Sequence, residues 1–186
     1  MRLFARLRRI SAVVGAMVPL ALLAACTLHR KAGTGDVAFR LAWEGESDLD
    51  LIVQDPAGDC INFGSGTSPT GGLLDVDCNS GSGRLCPAPV ENVYWPQGSA
   101  PSGRYLFWAH AHVLIPAEAP LSYQLQILRG TEVVRLIRGR VRRHQELHGA
   151  WALDLPSGRV SAPEQNRSAA DSPCVSIRSG ILKSSD

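Results

Sequence analysis

Asp36-Val37-Ala38-Phe39-Arg40-Leu41-Ala42-Trp43 and, after a four-residue break, Asp48-Leu49-Asp50-Leu51-Ile52-Val53-Gln54 decide the fold. In both runs an apolar residue recurs at every second position, the period of a β-strand with one face against a core. Val37, Phe39, Leu41 and Trp43 share one face, with Ala38, Arg40 and Ala42 on the other. Leu49, Leu51 and Val53 form the next inward face, opposite Asp48, Asp50 and Gln54. Asp55-Pro56-Ala57-Gly58 ends the second run as a turn. There Asp bonds its own backbone, Pro fixes φ and Gly admits positive φ.

The same period continues downstream. Short strands are expected near Cys60 to Phe63, from Leu73 to Cys78, and from Val90 to Trp95, the last an edge strand stopped by Pro96. Arg104 to Val113 is aromatic-rich, and Leu121, Tyr123, Leu125 and Ile127 alternate with polar residues. Arg129-Gly130-Thr131 turns into Glu132 to Val141, and Trp151, Leu153 and Leu155 close the pattern. Eight or nine short strands without an amphipathic helix predict an all-β chain: an antiparallel β-sandwich, jelly-roll or Ig-like, over residues 36–158. From 159 to 186 the chain is poor in apolar residues and is expected to be a flexible tail.

Residues 1–25 read as an export signal: Arg2, Arg6, Arg8 and Arg9 precede an apolar run from Ile10 to Ala25. The run ends in Leu23-Ala24-Ala25-Cys26, which resembles a bacterial lipobox. That resemblance implies diacylation of Cys26, cleavage before it, and acylation (palmitate among the chains) of the new amine. An ordinary Ala-x-Ala cleavage site preceding a cysteine is the alternative. Acyl chains contribute about 0.8 kcal/mol per buried CH₂, so two or more hold a protein on a bilayer. Residues 26–35 would then be a lipidated tether. Thr27, where inner-membrane retention would place Asp, favours the outer membrane, on its periplasmic or exterior side.

Without residues 1–25 the chain carries 15 basic and 17 acidic residues, a formal charge of −2, which argues against nucleic acid as a partner. Cys60, Cys78, Cys86 and Cys174 are an even set in an exported chain and read as disulfides. Cys78 with Cys86 would close a short Gly/Ser-rich loop and leave Cys60 to reach Cys174; Cys60 with Cys78 competes. No Cys-x-x-Cys points to zinc.

Ordered blocks carry a family resemblance: Trp43, Asp48 to Leu51, Val53, Asp55, Pro56 and Gly58; Ser68, Gly71, Gly72, Leu74, Asp75 and Asp77; Glu91, Asn92, Trp95 and Pro96; Ala100, Pro101, Gly103 and Tyr105. Over roughly residues 36 to 130 the series resembles the YfaP-like group, uncharacterised bacterial β-domains of exported proteins and lipoproteins. The resemblance implies a compact β-sandwich and supplies no catalytic residues. His110-Ala111-His112 departs from the group's usual aromatic residues.

Between Asp36 and Glu91 ten acids face only Arg40 and Arg84. Asp48 and Asp50, two apart on a strand, share a face, and Asp75 and Asp77 are expected to do the same. With Asn79 and Glu91 they could supply the six to eight oxygens that Ca²⁺ takes, Ca²⁺ being the cofactor this set suits. Alternatively they cap turns and solvate an outer face. His110 and His112 share a strand face and could chelate zinc or copper; His144 and His148 form a second pair, although His-Gln-Glu-Leu-His lacks the metalloprotease order. Arg138, Arg140 and Arg142 would line one face of a solvated edge strand. No nucleophile elbow, phosphate-binding loop or dinucleotide fingerprint occurs, so no enzyme activity is expected. The function expected is a lipid-anchored, non-catalytic binding or accessory module of the envelope, stabilised by calcium. Its partners would be the membrane and an envelope protein or glycan. The alternatives are a Ca²⁺-dependent lectin-like domain and, third, a hydrolase or hydrolase accessory domain.

Overall fold

The computed structural model describes residues 32–81, 85–117, 119–162 and Cys174, all within a compact unit spanning Lys31–Asp186. The expectations for residues 1–25, for Cys26 and for most of the tail lie outside the described residues. Among the described residues, ten strands form two antiparallel sheets packed face to face as a β-sandwich. The strands are β1 (Gly35–Trp43), β2 (Asp48–Gln54), β3 (Cys60–Ile61), β4 (Leu73–Val76), β5 (Val90–Trp95), β6 (Gly103–Val113), β7 (Leu121–Gly130), β8 (Glu132–Val141), β9 (Glu146–Leu155) and β10 (Arg159–Ser161). One sheet has the order β4-β5-β1-β7-β8 and the other β10-β9-β6-β2-β3.

Alternation produces the core. Val37, Phe39, Leu41 and Trp43 of β1 meet Leu49, Leu51 and Val53 of β2 and Tyr105, Phe107 and Ala109 of β6 between the sheets. Phe39 is the aromatic hub: its ring lies 4.9 Å from Phe107, 6.0 Å from Tyr105 and 6.3 Å edge-on to Trp95. Gly72 lies against this hub so closely that a Cβ there would stand 2.5 Å from the Trp95 ring, so glycine is required for close approach. On the outer face of the second sheet, Ile52 and Trp108 form a smaller cluster covered by Cys174.

Three boundaries differ from the reading by pattern. β5 is not an edge: Leu73, Leu74 and Val76 pair along it, and β1 pairs on the other side. Pro96 stops the strand without exposing it. The sandwich extends past residue 158, because Arg159–Ser161 pairs with Asp154, Leu153 and Ala152. At the other end Gly33 is docked instead of lying in a tether. Its N–H donates to Asp75, and its carbonyl accepts from Arg40 and Asn92. The cysteines pair as Cys78–Cys86 and Cys60–Cys174, so Cys60 does not join Cys78.

Candidate metal centre

At one end of the sandwich the β1–β2 loop, the Cys78–Cys86 loop and the end of β6 surround a groove of 440 Å³. Ser47 fastens these three segments. Its carbonyl accepts from Trp43 Nε1 at 2.7 Å and from Asn79 Nδ2 at 2.9 Å, and its hydroxyl accepts the Ile115 N–H at 2.9 Å. Asp48 and Asp50 line the groove with Glu46 and His112, and Phe63, Leu85 and Ile115 stand on its rim about half exposed.

The strand pairing explains why acids collect here. β3 is two residues long and covers only Val53 and Gln54, so β2 has an open edge at Leu51. Glu91 reaches that edge from the facing sheet, and the Leu51 N–H donates to its Oε2. A strand N–H that would otherwise lack a ladder partner is thereby satisfied. The other oxygen, Glu91 Oε1, is enclosed and meets no hydrogen-bond donor among the described residues, and Glu91 is 0% exposed. Its neighbours are more acids. One carboxylate oxygen each from Asp48, Asp50 and Glu91 lie within 4.8 Å of one another, and the Asp77 carboxyl adjoins Glu91. Burial and then the nearby Asp50 charge push the Glu91 carboxyl well above the usual carboxylate range; the Leu51 N–H opposes this, and Asp77 adds to it.

The six expected ligands therefore separate. Asp48, Asp50 and Glu91 converge, with Asp77 beside them. Asp75 does not share their face. The register of β4 against β5 shifts between Leu74 and Val76, a β-bulge that breaks the two-residue period. Asp75 instead accepts from Asn92 Nδ2 at 2.7 Å, beside the buried Arg40, whose Nε donates to Asn92 Oδ1 at 3.0 Å. Asn79 lines the same groove, with its side chain engaged in holding the loops together. Its amide oxygen accepts the Cys86 N–H at 2.9 Å, and its NH₂ donates to the carbonyls of Gly45 and Ser47.

His110 lies opposite Asp50 across the β2–β6 ladder, with Nδ1 2.8 Å from Asp50 Oδ2. That pairing was invisible in the sequence, because cross-strand register was not readable from either strand alone. Gln145, which holds both His110 and His112, was missed for the same reason. His144 and His148 serve different places. His144 Nδ1 accepts the Leu114 N–H, whereas His148 bonds Tyr123 and Glu146. Arg138 and Arg140 are exposed on β8, an edge of its sheet, and Arg142 lies beyond the strand. No family model, curated protein or solved structure matches the chain.

Proposed function

We propose that this chain is a lipid-anchored, non-catalytic binding module of the bacterial outer membrane, whose sandwich takes up Ca²⁺ between its two sheets. One observation carries the ion: Asp48 and Asp50 of one sheet and Glu91 of the other each bring one oxygen within 4.8 Å of the others, with Glu91 Oε1 buried and lacking a donor among the described residues. Ligands facing each other across Ca²⁺ stand at twice its 2.3–2.6 Å bond length, about 4.6–5.2 Å apart, and oxygens within 4.8 Å of one another fall inside that limit. Asp77 and water would complete its shell. A divalent cation also answers the electrostatics, since carboxylates packed at this distance repel. The anchor and the location rest on Leu23-Ala24-Ala25-Cys26, and the YfaP-like blocks support an exported β-domain of this kind.

Calorimetric titration of the purified chain with Ca²⁺ tests the site. Wild type is expected to bind one ion, with affinity lost in Glu91→Gln and in Asp48→Asn; equal binding by all three proteins would end the proposal. Labelling of growing cells with a palmitate analogue tests the anchor, because wild type should be labelled and Cys26→Ser should not.

The groove favours a second reading, in which the ion also touches a ligand. Asp48 and Asp50 line its floor and Phe63, 48% exposed, stands on its rim. Sugar hydroxyls on an ion beside an aromatic ring are one such ligand. Glycan-array binding seen in Ca²⁺ and absent in EDTA would distinguish this reading from a purely structural ion.

A further inference from the structure

Asp50 also borders a second set of donors, formed by β6 and the turn before β9. The β2–β6 register shifts between Asp48 and Leu49, where Asp48 pairs with Val113 and Leu49 with Ala111, so His112 is the extra residue of a bulge. His112 is exposed there, and its ring centroid lies 6.1 Å from that of His110. One nitrogen of each ring and one Asp50 oxygen fall within 4.8 Å of one another.

The contacts around His110 are compatible with a metal ion on its Asp50 side. Nδ1 faces Asp50 Oδ2 at 2.8 Å, and Nε2 faces Gln145 Oε1 at 3.2 Å. The Gln145 amide is oriented by its other end, since Nε2 donates to the His112 carbonyl at 3.0 Å. Both ring nitrogens thus face acceptors, a demand that an imidazolium meets with two N–H groups and a neutral imidazole, with one N–H, meets on one side only. A metal ion at the Nδ1–Asp50 contact satisfies that side and leaves Nε2–H to Gln145, the outer support that ligating histidines commonly have.

We propose that His110, His112 and Asp50 form a transition-metal site, for Zn²⁺ or Cu²⁺, adjoining the all-oxygen cluster. Imidazole nitrogens are borderline donors that these ions select, while Ca²⁺ and Mg²⁺ favour oxygen. Around tetrahedral Zn²⁺ with bonds of 2.0–2.1 Å, ligand atoms stand about 3.3 Å apart. His110 and Asp50 are already near that separation at 2.8 Å. The ligand atoms lie within 4.8 Å of one another, so the set closes by at most about 1.5 Å, which rotation of the exposed His112 side chain can supply. Three protein ligands leave the next position to water or to a ligand in the groove. Because Asp50 serves both sets, Zn²⁺ bound here weakens Ca²⁺ at the neighbouring cluster, and by linkage the reverse holds equally.

Titration of the purified full chain with Zn²⁺, and with Co²⁺ as a visible probe of ligand geometry, tests the site. Wild type is expected to take one Zn²⁺ and, with Co²⁺, to show the intense ligand-field bands of a low-coordinate nitrogen–oxygen site. His112→Ala, at an exposed position, should keep the melting temperature and lose Zn²⁺ affinity by about tenfold or more. His110→Gln, at a buried position, should lose Zn²⁺ affinity as well, whereas His144→Ala should bind as wild type does. Asp50→Asn should weaken both metals, His112→Ala only Zn²⁺, and Glu91→Gln only Ca²⁺, so failure of either site is seen separately. Zn²⁺ affinity unchanged by His112→Ala, lost instead with His144→Ala, or absent from folded wild type would overturn the assignment.

Discussion

Glu91 is the residue on which the two sheets depend most unusually, because it is a carboxyl placed where β5 otherwise sends Val93 and Trp95 into the core. Its ionisation is opposed by burial and by Asp50, so its folded pKa stands above the unfolded value. For such a group the stabilising effect is complete below the ordinary glutamate pKa and is lost as pH rises through the folded one. In EDTA, stability should therefore decline as pH rises from about 4.5. Denaturant midpoints measured across pH 4 to 8 check this. Glu91→Gln should flatten the decline and raise stability at neutral pH in EDTA, since the neutral amide carries no buried charge, and it should abolish any gain from Ca²⁺. A variant whose midpoint falls with pH as steeply as wild type would assign the decline to other groups. In the sequence, Glu91 was visible as one of ten acids but not as an inward one. Strand periodicity assigns inward positions to apolar residues, and only the open edge of β2 gives a carboxylate reason to be there.

At the scale of elements, alternation in Val37–Phe39–Leu41–Trp43 and Leu49–Leu51–Val53 was enough to read both central strands, since each residue's face follows from its parity alone. The β4 bulge could not be read this way. It exists only relative to β5, and it sends Asp75 to Asn92 while Asp77 stays with Glu91. Asp77→Asn should accordingly reduce the calcium-dependent rise in melting temperature, and Asp75→Asn should leave that rise intact. Equal effects would contradict the bulge. The disulfides make a second comparison. Cys60–Cys174 closes a loop of 114 residues and Cys78–Cys86 one of 8. Loop-closure entropy assigns the long bridge about 4–5 kcal/mol and the short one about 2–3 kcal/mol. Cys60→Ser/Cys174→Ser also uncovers Ile52 and Trp108. Urea unfolding should rank that double variant as less stable than Cys78→Ser/Cys86→Ser, and the opposite order would mean Cys174 adds nothing to the cluster it joins.

Over the whole molecule, two sheets are held by an aromatic core at their centre and meet as an acidic seam at one end. These regions should respond differently to perturbation. Phe39→Ala removes the ring shared by Trp95, Tyr105 and Phe107 and should cost about 3–5 kcal/mol with or without Ca²⁺. The seam should contribute only when an ion is present. The sandwich itself was legible because its strands are short, regularly spaced and punctuated by Gly and Pro. The seam was legible as composition and not as geometry, since which acids meet depends on how one sheet lies over the other.

A thermal melt of the purified chain in EDTA and in millimolar Ca²⁺ tests the cation seam most directly. A native-state site raises stability by RT ln(1 + [L]/Kd), about 2.7 kcal/mol when the ion is at a hundred times Kd. The expected result is a rise of several degrees in Ca²⁺ that disappears in Glu91→Gln. Coincident melts of the wild-type protein in EDTA and in Ca²⁺ would contradict it, leaving Asp48, Asp50 and Glu91 as acids that the fold holds together without an ion.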